Sequence, residues 1–360
     1  MSELLEIAQR FMIEGQAVAA EPLGHGHLHK TYLVTAQAGT ADVHYVLQEI
    51  NTRVFKDVDA LMENIHRVTR HLAGKLPPAE VRRRTMAFIR TRDGELYLKA
   101  EQGRCWRLCW YVQGSYTVEV PKNTQQIYQS ARAFGGFLRN LADLDGGPLK
   151  ETIPDFHNGV KRYQRLTEAI QQDQVGRVKE ARPEAELIVK HADIFETMAA
   201  WIRSGALPLR TTHNDTKVNN VLFDKATDEA ICVIDLDTVM PGVAAYDFGD
   251  QVRTTVSESE EDQTDLSGIA VQMDRFEAIA RGYLDGTAGL LTEIEIESLM
   301  TGAKMFPLLM ATRFLTDFLE GDWYFSTHRA GHNLDRCRTQ LALFESICRN
   351  DKQMAAVLGQ

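Results

Sequence analysis

The stretch His213-Asn214-Asp215-Thr216-Lys217-Val218-Asn219-Asn220 is followed, fifteen residues later, by Asp235-Leu236-Asp237. In chain order the two segments supply a carboxylate, a lysine, an amide and a second carboxylate. Asn220 follows Asp215 by five residues, and Lys217 follows it by two. The catalytic loop of kinases places its amide metal ligand five residues after its catalytic aspartate. The two segments therefore predict a site for phosphoryl transfer, a reaction promoted by positioning and charge.

The residue types indicate a role for each of these positions. The Asp215 carboxylate is expected to orient the acceptor hydroxyl and to take its proton. A helix N-cap or an Asx turn is the alternative when this residue is considered alone. Lys217 is expected to contact the transferred phosphate. Asn220 and Asp235 are expected to bind Mg²⁺, which proteins hold through one or two carboxylates and substrate phosphates. Asp237 is either a second ligand or a structural hydrogen-bonding group.

Length and composition restrict the class of protein. The 360 residues are enough for two lobes, and 44% hydrophobic and 25% charged residues are typical of an ordinary enzyme. A net charge of −10 argues against a nucleic-acid or membrane surface and favours a small-molecule substrate. Five cysteines without a CxxC spacing, an acidic N-terminus and the lack of a long apolar run predict a cytoplasmic protein.

The hydrophobic pattern changes near Gln113-Gly114. Residues 1–112 contain strand-like segments and two helical segments, at 4–14 and at 57–73, and they predict an N-terminal nucleotide-binding lobe with an antiparallel sheet. Residues 113–360 have mainly helical periodicity and predict a larger catalytic lobe. The expected fold class is α+β, with a two-lobed, protein-kinase-like architecture.

Three local patterns give narrower predictions. Asp93-Gly94, a dipeptide typical of tight turns, is expected to join strands at 85–90 and 96–100 in a hairpin. Residues 293–320 are expected to form a helix. Asp247-Phe248-Gly249 spells the magnesium motif of protein kinases. Because Asp235 closes the hairpin that follows the catalytic loop, Asp247 is instead expected to cap a helix or to hold that loop.

The segment from Gly24 to His29 has two interpretations. The run Gly24-His25-Gly26-His27 forms a glycine-containing turn before a strand, and glycine lets backbone N–H groups approach phosphate oxygens. The alternating His25, His27 and His29 suggest a zinc site instead, although no cysteine or clustered carboxylate adjoins them in the sequence. The phosphate turn is the favoured interpretation.

In this order the motifs resemble those of the aminoglycoside phosphotransferase and choline kinase superfamily, and most of all its N-acetylhexosamine 1-kinases. The similar segments are Gly26-His27, 31–34, 46–48, 51–52, 212–220, 234–238, 241–242, 247–250, 313–315 and 320–322. The resemblance implies ATP- and Mg²⁺-dependent phosphorylation of the anomeric hydroxyl of N-acetylglucosamine or N-acetylgalactosamine, with the sugar bound by the C-terminal lobe. The implied sugar contacts are His27, Asp215, Asp235, Arg313 and Tyr324. The implied nucleotide contacts are Gly24, His25, Gly26, Gln48, Tyr111 and Lys217.

The sequence departs from the kinase pattern on one strand. Gln48 stands where kinases usually carry a lysine that neutralises the α- and β-phosphates. Lys217 and Mg²⁺ are then expected to carry more of the triphosphate charge. Two of the implied sugar contacts have simpler interpretations: Arg313 could form an i,i+4 surface ion pair with Asp317, and Tyr324 could belong to the core.

Two other functions stay open. A kinase of the same fold could act on choline, an aminoglycoside or another sugar, and the acidic run 258–262 could then line a site for a cationic acceptor. The uncharged Gln48 also suggests a pseudokinase that binds nucleotide and serves as an interaction module.

Overall fold

The computed structural model describes residues 2–24 and 29–360, and the chain forms two compact units. Unit 1 comprises Met1–Thr117, Asn140–Pro154 and Val221–Pro241. Unit 2 comprises Val118–Arg139, Asp155–Asn220 and Gly242–Gln360. Unit 1 therefore takes in two segments from later in the chain, and the single lobe boundary near Gln113-Gly114 stays a prediction.

The N-terminal part of the chain alternates helices and strands. Its elements are α1 (Ser2–Gln9), β1 (Gln16–Pro22), β2 (Lys30–Ala38), β3 (Ala41–Ile50), α2 (Val58–Gly74), α3 (Val81–Arg84), β4 (Phe88–Ile89), β5 (Leu98–Lys99), β6 (Cys105–Trp110) and β7 (Ser115–Tyr116). The predicted helix at 57–73 is confirmed by α2, whose first turn is capped by the Asp57 carboxylate accepting the Ala60 N–H.

The strands of unit 1 pair antiparallel in the order β1-β2-β3-β6-β4, and β5 also lies alongside β6. The hairpin predicted around Asp93-Gly94 is wrong: β4 and β5 are only two residues long, and each pairs with β6. Thr91 and Glu95 do close a turn there through the Thr91 N–H to Glu95 carbonyl bond. The strand β6, which pairs with both β4 and β5, is six residues long.

Alternation along the central strands gives the sheet two different faces. On one face Tyr45 and Leu47 of β3 pack with Trp106 and Leu108 of β6 in a core of buried apolar side chains. On the other face Gln48 of β3 lies opposite Arg107 of β6. Successive side chains of a strand point to opposite faces, so Gln48 and Arg107 share the second face of the sheet.

The remaining elements are mostly helical. They are α4 (Thr124–Asn140), α5 (Gly159–Gln172), α6 (Arg182–Lys190), α7 (Asp193–Arg203), β8 (Arg210–Thr212), β9 (Val221–Asp224), β10 (Ala230–Val233), β11 (Met240–Gly242), α8 (Ala244–Thr255), α9 (Met273–Thr287), α10 (Glu293–Glu320) and α11 (His332–Val357). The predicted helix at 293–320 is confirmed by α10. In unit 1, β9 pairs with both β10 and β7.

The helices of unit 2 pack around α10. Leu308, Leu309 and Phe314 of this helix are buried among apolar side chains from α5, α7 and α11 and their neighbours. An antiparallel sheet in the N-terminal region and helices in the C-terminal region confirm the predicted α+β, kinase-like fold class. Among the described residues, none of the helices is both long and apolar enough to cross a membrane.

Candidate active site

The catalytic loop of unit 2 brings three of the predicted residues together. Asn220 donates two hydrogen bonds from its side-chain nitrogen to Asp215, one to the backbone oxygen at 2.9 Å and one to Oδ2 at 3.0 Å. The Lys217 Nζ lies 3.5 Å from Asp215 Oδ1. The Asp215 carboxylate is therefore contacted by an amide and an ammonium group and keeps about 22% of its surface exposed.

These contacts decide the charge of the loop. Burial alone would raise the pKa of Asp215, but the nearby charges of Lys217, His213 and Arg253 lower it below its usual value. The Asp215 carboxylate in turn raises the pKa of Lys217. Both groups are consequently ionised at neutral pH. An ionised Asp215 can accept a hydrogen bond from an acceptor hydroxyl, as the predicted role requires.

The loop backbone is held from α8. Asp247 accepts the His213 N–H at 3.0 Å and the Asn214 N–H at 2.7 Å. Asp250, one turn further along α8, accepts the Thr216 N–H at 2.9 Å. The expectation that Asp247 holds the catalytic loop is therefore confirmed. Burial raises the pKa of Asp247 to about 7, although its two backbone N–H partners favour the ionised form.

His157 braces the same loop, and sequence reasoning missed it. Its Nε2 lies 2.9 Å from the Asn214 carbonyl oxygen. Burial lowers the pKa of His157 to about 3, so the ring is neutral and Nε2 is the nitrogen that donates. Asn214 has a positive φ of 64°, a backbone conformation that asparagine tolerates better than most residues. Nothing in the sequence links residue 157 to a loop 57 positions later.

The predicted metal ligands belong to different units. Asn220 lies in unit 2, and because its nitrogen donates to Asp215, its side-chain oxygen is the atom suited to a cation. Asp235 lies in unit 1, two residues after β10, with a positive φ of 59°. Both supply oxygen donors, which Mg²⁺ prefers. Their joint role as ligands stays a prediction.

Asp237 has a structural role in unit 1, one of the two roles predicted for it. Arg107 donates to both of its oxygens, at 2.7 and 2.6 Å, and the two side chains are 2% and 1% exposed. Burial alone would raise the pKa of Asp237, but Arg107 and His29 hold it far below its usual value. Arg107 also donates from Nε to Gln48 Oε1 at 2.9 Å. Arg107 was missed because its partner lies 130 residues away.

The predicted phosphate turn is only partly described. His25, Gly26 and His27 lie outside the described residues. Gly24 has a positive φ of 73°, which favours glycine. His29 accepts the Asn51 N–H on Nδ1, and its Nε2 lies 3.4 Å from Asp237. Among the described residues there is no cluster of three or more His, Cys, Asp or Glu side chains suited to a metal.

Tyr111, one of the implied nucleotide contacts, lies just after β6. Its N–H donates to the His44 carbonyl and extends the pairing of β3 with β6. Tyr111 and Gln113 both line a depression on unit 1, and the Arg82 guanidinium lies 3.6 Å from the ring centre of Trp110 in the same lining. The role of Tyr111 in nucleotide binding stays a prediction.

Arg313 and Tyr324 line one pocket of unit 2. Its lining consists of Arg162, Arg165, Arg313, Thr316, Asp317, Glu320, Tyr324 and Phe325. Tyr324 is 57% exposed and is not a core residue. Asp317 accepts the N–H groups of Tyr324 and Phe325 at 2.8 and 2.9 Å. It therefore anchors the segment that carries Tyr324, and the simple surface pair with Arg313 is not what forms.

The pocket is basic and has aromatic walls. Burial and the neighbouring Arg162 lower the pKa of Arg313. The guanidinium of Arg313 lies 5.6 Å from the ring centre of Phe156 and 5.4 Å from that of Phe325. Arg165 is engaged with Glu320 through two hydrogen bonds of 2.9 and 2.6 Å. Arg162 and Arg165 were missed because the α5 sequence resembles an ordinary charged helix surface.

The pocket adjoins the catalytic loop within unit 2. Phe156 contacts Arg313, and the next residue, His157, contacts the Asn214 carbonyl. Residues 156–157 therefore contact both the pocket residue Arg313 and the loop that carries Asp215. The structure thus places the implied sugar contacts Arg313 and Tyr324 in the unit that carries Asp215.

Fold and site together define a class, the kinase-like phosphotransferases with an antiparallel sheet, a helical region and a catalytic loop of the Asp-x-Lys-x-x-Asn pattern. The chain belongs to the phosphotransferase enzyme family, whose model matches residues 19–290. This match confirms the superfamily resemblance.

Several solved structures share the fold over nearly their whole length. The aminoglycoside phosphotransferase from Alicyclobacillus acidocaldarius has a TM-score of 0.62 at 10% identity, covering 97% of this chain and 96% of its own. A microcompartment-associated aminopropanol kinase has a TM-score of 0.60 at 16% identity, covering 98% of both chains. Spectinomycin phosphotransferase in complex with ADP and spectinomycin has a TM-score of 0.57 at 12% identity, covering 99% and 98%. At such identities the likeness concerns the fold alone.

Proposed function

We propose that the protein is an ATP- and Mg²⁺-dependent kinase that phosphorylates the anomeric C1 hydroxyl of N-acetylhexosamines. The observation that carries the proposal is the cluster of Asp215, Lys217 and Asn220 in the same unit as the pocket that contains Arg313 and Tyr324. The cluster has the residues that phosphoryl transfer needs, and the pocket has the hydrogen-bonding and aromatic groups that a sugar needs. The family membership and the ADP found in one structural neighbour support ATP as the phosphate donor.

Each residue of the catalytic loop then has a distinct task. Asp215 accepts a hydrogen bond from the C1 hydroxyl, aligns its oxygen with the transferred phosphorus, and receives the proton. Lys217 stabilises the negative charge on the transferred phosphate. Asn220 keeps the Asp215 carboxylate in place through its two donated bonds. His157, Asp247 and Asp250 fix the loop backbone, so little reorganisation is needed during the reaction.

The donor chemistry of Asn220 and Asp235 fits a magnesium ion, because one supplies an amide oxygen and the other a carboxylate. We propose these two residues as its protein ligands. When bound, Mg²⁺ neutralises charge on the β- and γ-phosphates.

The charges of unit 2 argue against a cationic acceptor such as choline or an aminoglycoside. The pocket is lined by three arginines. The acidic run 258–262, which could have bound a cation, is engaged elsewhere: Glu258 pairs with Arg275 and Glu261 with Arg253. Asp262 pairs with Arg329 and with the His332 ring. A neutral acceptor that presents hydroxyl and carbonyl oxygens suits the arginine-lined pocket better.

A panel of acceptors tests the proposal. ADP release is measured with ATP, Mg²⁺ and N-acetylglucosamine, N-acetylgalactosamine, glucose, choline or kanamycin. We expect turnover with the two N-acetylhexosamines and little with the cationic acceptors. Turnover with choline or kanamycin alone would contradict the sugar assignment. A lack of transfer to every acceptor, together with measurable ADP binding, would favour the pseudokinase.

A further inference from the structure

A buried polar cluster in unit 1 is not explained by the loop chemistry. It is formed by Gln48 on β3, Arg107 on β6 and Asp237 in the short helical turn after β10. Gln48 and Arg107 are direct partners in the strand register, and their side chains share one face of the sheet. Gln48 also donates to the Thr31 hydroxyl at 3.1 Å, so β2 is connected to the cluster as well.

The cluster connects the elements that are expected to hold the nucleotide. Asp237 follows the predicted metal ligand Asp235 by two residues. His29, two residues after the predicted phosphate turn, has its Nε2 3.4 Å from Asp237. Because His29 Nδ1 accepts the Asn51 N–H, Nε2 is the nitrogen that carries the proton in the neutral ring. Three segments from distant parts of the sequence thus meet at a single carboxylate.

The cluster contains a single cation with a specific geometry. The guanidinium of Arg107 uses Nε for Gln48 and both terminal nitrogens for Asp237. Such a fork is possible for arginine but not for lysine. A buried ion pair is costly to form, and a well-packed apolar pair is often at least as stable. Its presence on the polar face of the sheet therefore suggests a task beyond folding.

That task follows from the position of Gln48. In protein kinases the equivalent central strand carries a lysine for the phosphates, which an acidic partner holds in place. Here the strand carries an uncharged amide, and the cation comes from the neighbouring strand, 2.9 Å away.

We propose that Arg107 is a positioning residue for the nucleotide: held by Asp237, it orients the Gln48 amide and fixes the turn that carries Asp235. The inference rests on the proposed nucleotide binding. It implies that a lysine at position 48 is harmful, since it places a second buried cation beside Arg107. If the site only lacked the usual lysine, Gln48→Lys would instead strengthen ADP binding.

The test compares the wild type with two single variants and the corresponding double variant. ADP affinity is measured by calorimetric titration with and without Mg²⁺, and stability is measured by thermal unfolding. We expect Gln48→Lys and Arg107→Gln each to weaken ADP–Mg²⁺ binding by about 10- to 100-fold, the range found for residues that orient metal ligands. The double variant Gln48→Lys/Arg107→Gln again contains one cation next to Asp237. It is expected to recover at least tenfold of the lost affinity.

A matched control separates positioning from folding. Arg338 donates to Glu184 at 2.6 Å in unit 2, away from the cluster. Arg338→Gln is expected to lower the unfolding temperature and to leave ADP affinity within threefold of wild type. Wild-type or tighter ADP binding by Gln48→Lys would overturn the inference, as would an Arg107→Gln variant that loses stability but keeps its affinity. If the wild type itself binds no adenine nucleotide, the proposed function fails as well.

Discussion

Replacing Asp247 with asparagine tests how the catalytic loop is held. The Asp247 carboxylate accepts two buried backbone N–H groups, from His213 at 3.0 Å and from Asn214 at 2.7 Å. Asparagine has one acceptor oxygen, so one of these N–H groups loses its partner. A hydrogen bond to a charged group contributes about 1.5–3 kcal/mol. If the displacement of Asp215 raises the activation free energy by this amount, kcat falls by roughly 10- to 150-fold.

The same substitution has a distinct effect on stability. The pKa of Asp247 is raised from 3.8 to about 7 in the folded protein, so the folded chain binds this proton more tightly than the unfolded chain. Protonation of Asp247 therefore adds at most about 4 kcal/mol to the free energy of unfolding. This contribution is fully present below pH 4 and is lost as the pH rises to 7. Asp247→Asn should remove this part of the pH dependence.

The assays are steady-state kinetics and urea unfolding of wild type and Asp247→Asn from pH 5 to pH 8. The kcat of the wild type should increase as the pH rises through 7, because Asp247 ionises there. The variant should not show this increase. The stability of the wild type relative to the variant should fall over the same interval. An unchanged kcat in Asp247→Asn, or the same pH dependence of stability in both proteins, would refute the reasoning.

Three further variants test the proposed roles. Asp215→Asn should lower kcat by roughly 10³-fold and leave ADP affinity, measured by calorimetry, within a few-fold; near-normal turnover would contradict its catalytic role. Asp235→Asn should raise the Mg²⁺ concentration needed for half-maximal rate by about 10-fold or more, and an unchanged Mg²⁺ titration would remove it from the ligand set. Arg313→Leu should raise KM for N-acetylglucosamine about 10-fold or more with KM for ATP unchanged; an equal rise in both would indicate a general structural effect.

Local signals in the sequence account for the elements that were predicted well. The helix at 293–320 begins at a capping box in which Thr292 and Glu295 bond reciprocally, and it ends at Gly321 in the left-handed conformation. Both signals lie within a few residues of the helix ends. The spacing of Asp215 and Asn220 was equally informative, because a single loop fixes their separation.

The predictions failed where distant residues decide the outcome. The Asp93-Gly94 turn is present, but the pairing of its flanking strands was decided by β6. Arg107 is surrounded in sequence by apolar residues of that strand, and only the folded chain brings Asp237 to it. His157 likewise meets its partner 57 residues away. Contacts of this range have no periodicity or spacing that a sequence pattern can reveal.

The position of the phosphate on the product tests the central claim most directly. The protein is incubated with ATP, Mg²⁺ and N-acetylglucosamine, and the product is analysed by ³¹P NMR with coupling to the sugar protons. The account predicts phosphate on the anomeric carbon with the wild type and, in the same incubation time, roughly 10³-fold less product with Asp215→Asn. Phosphate on C6, or a wild-type yield of product from the Asp215→Asn variant, would contradict it.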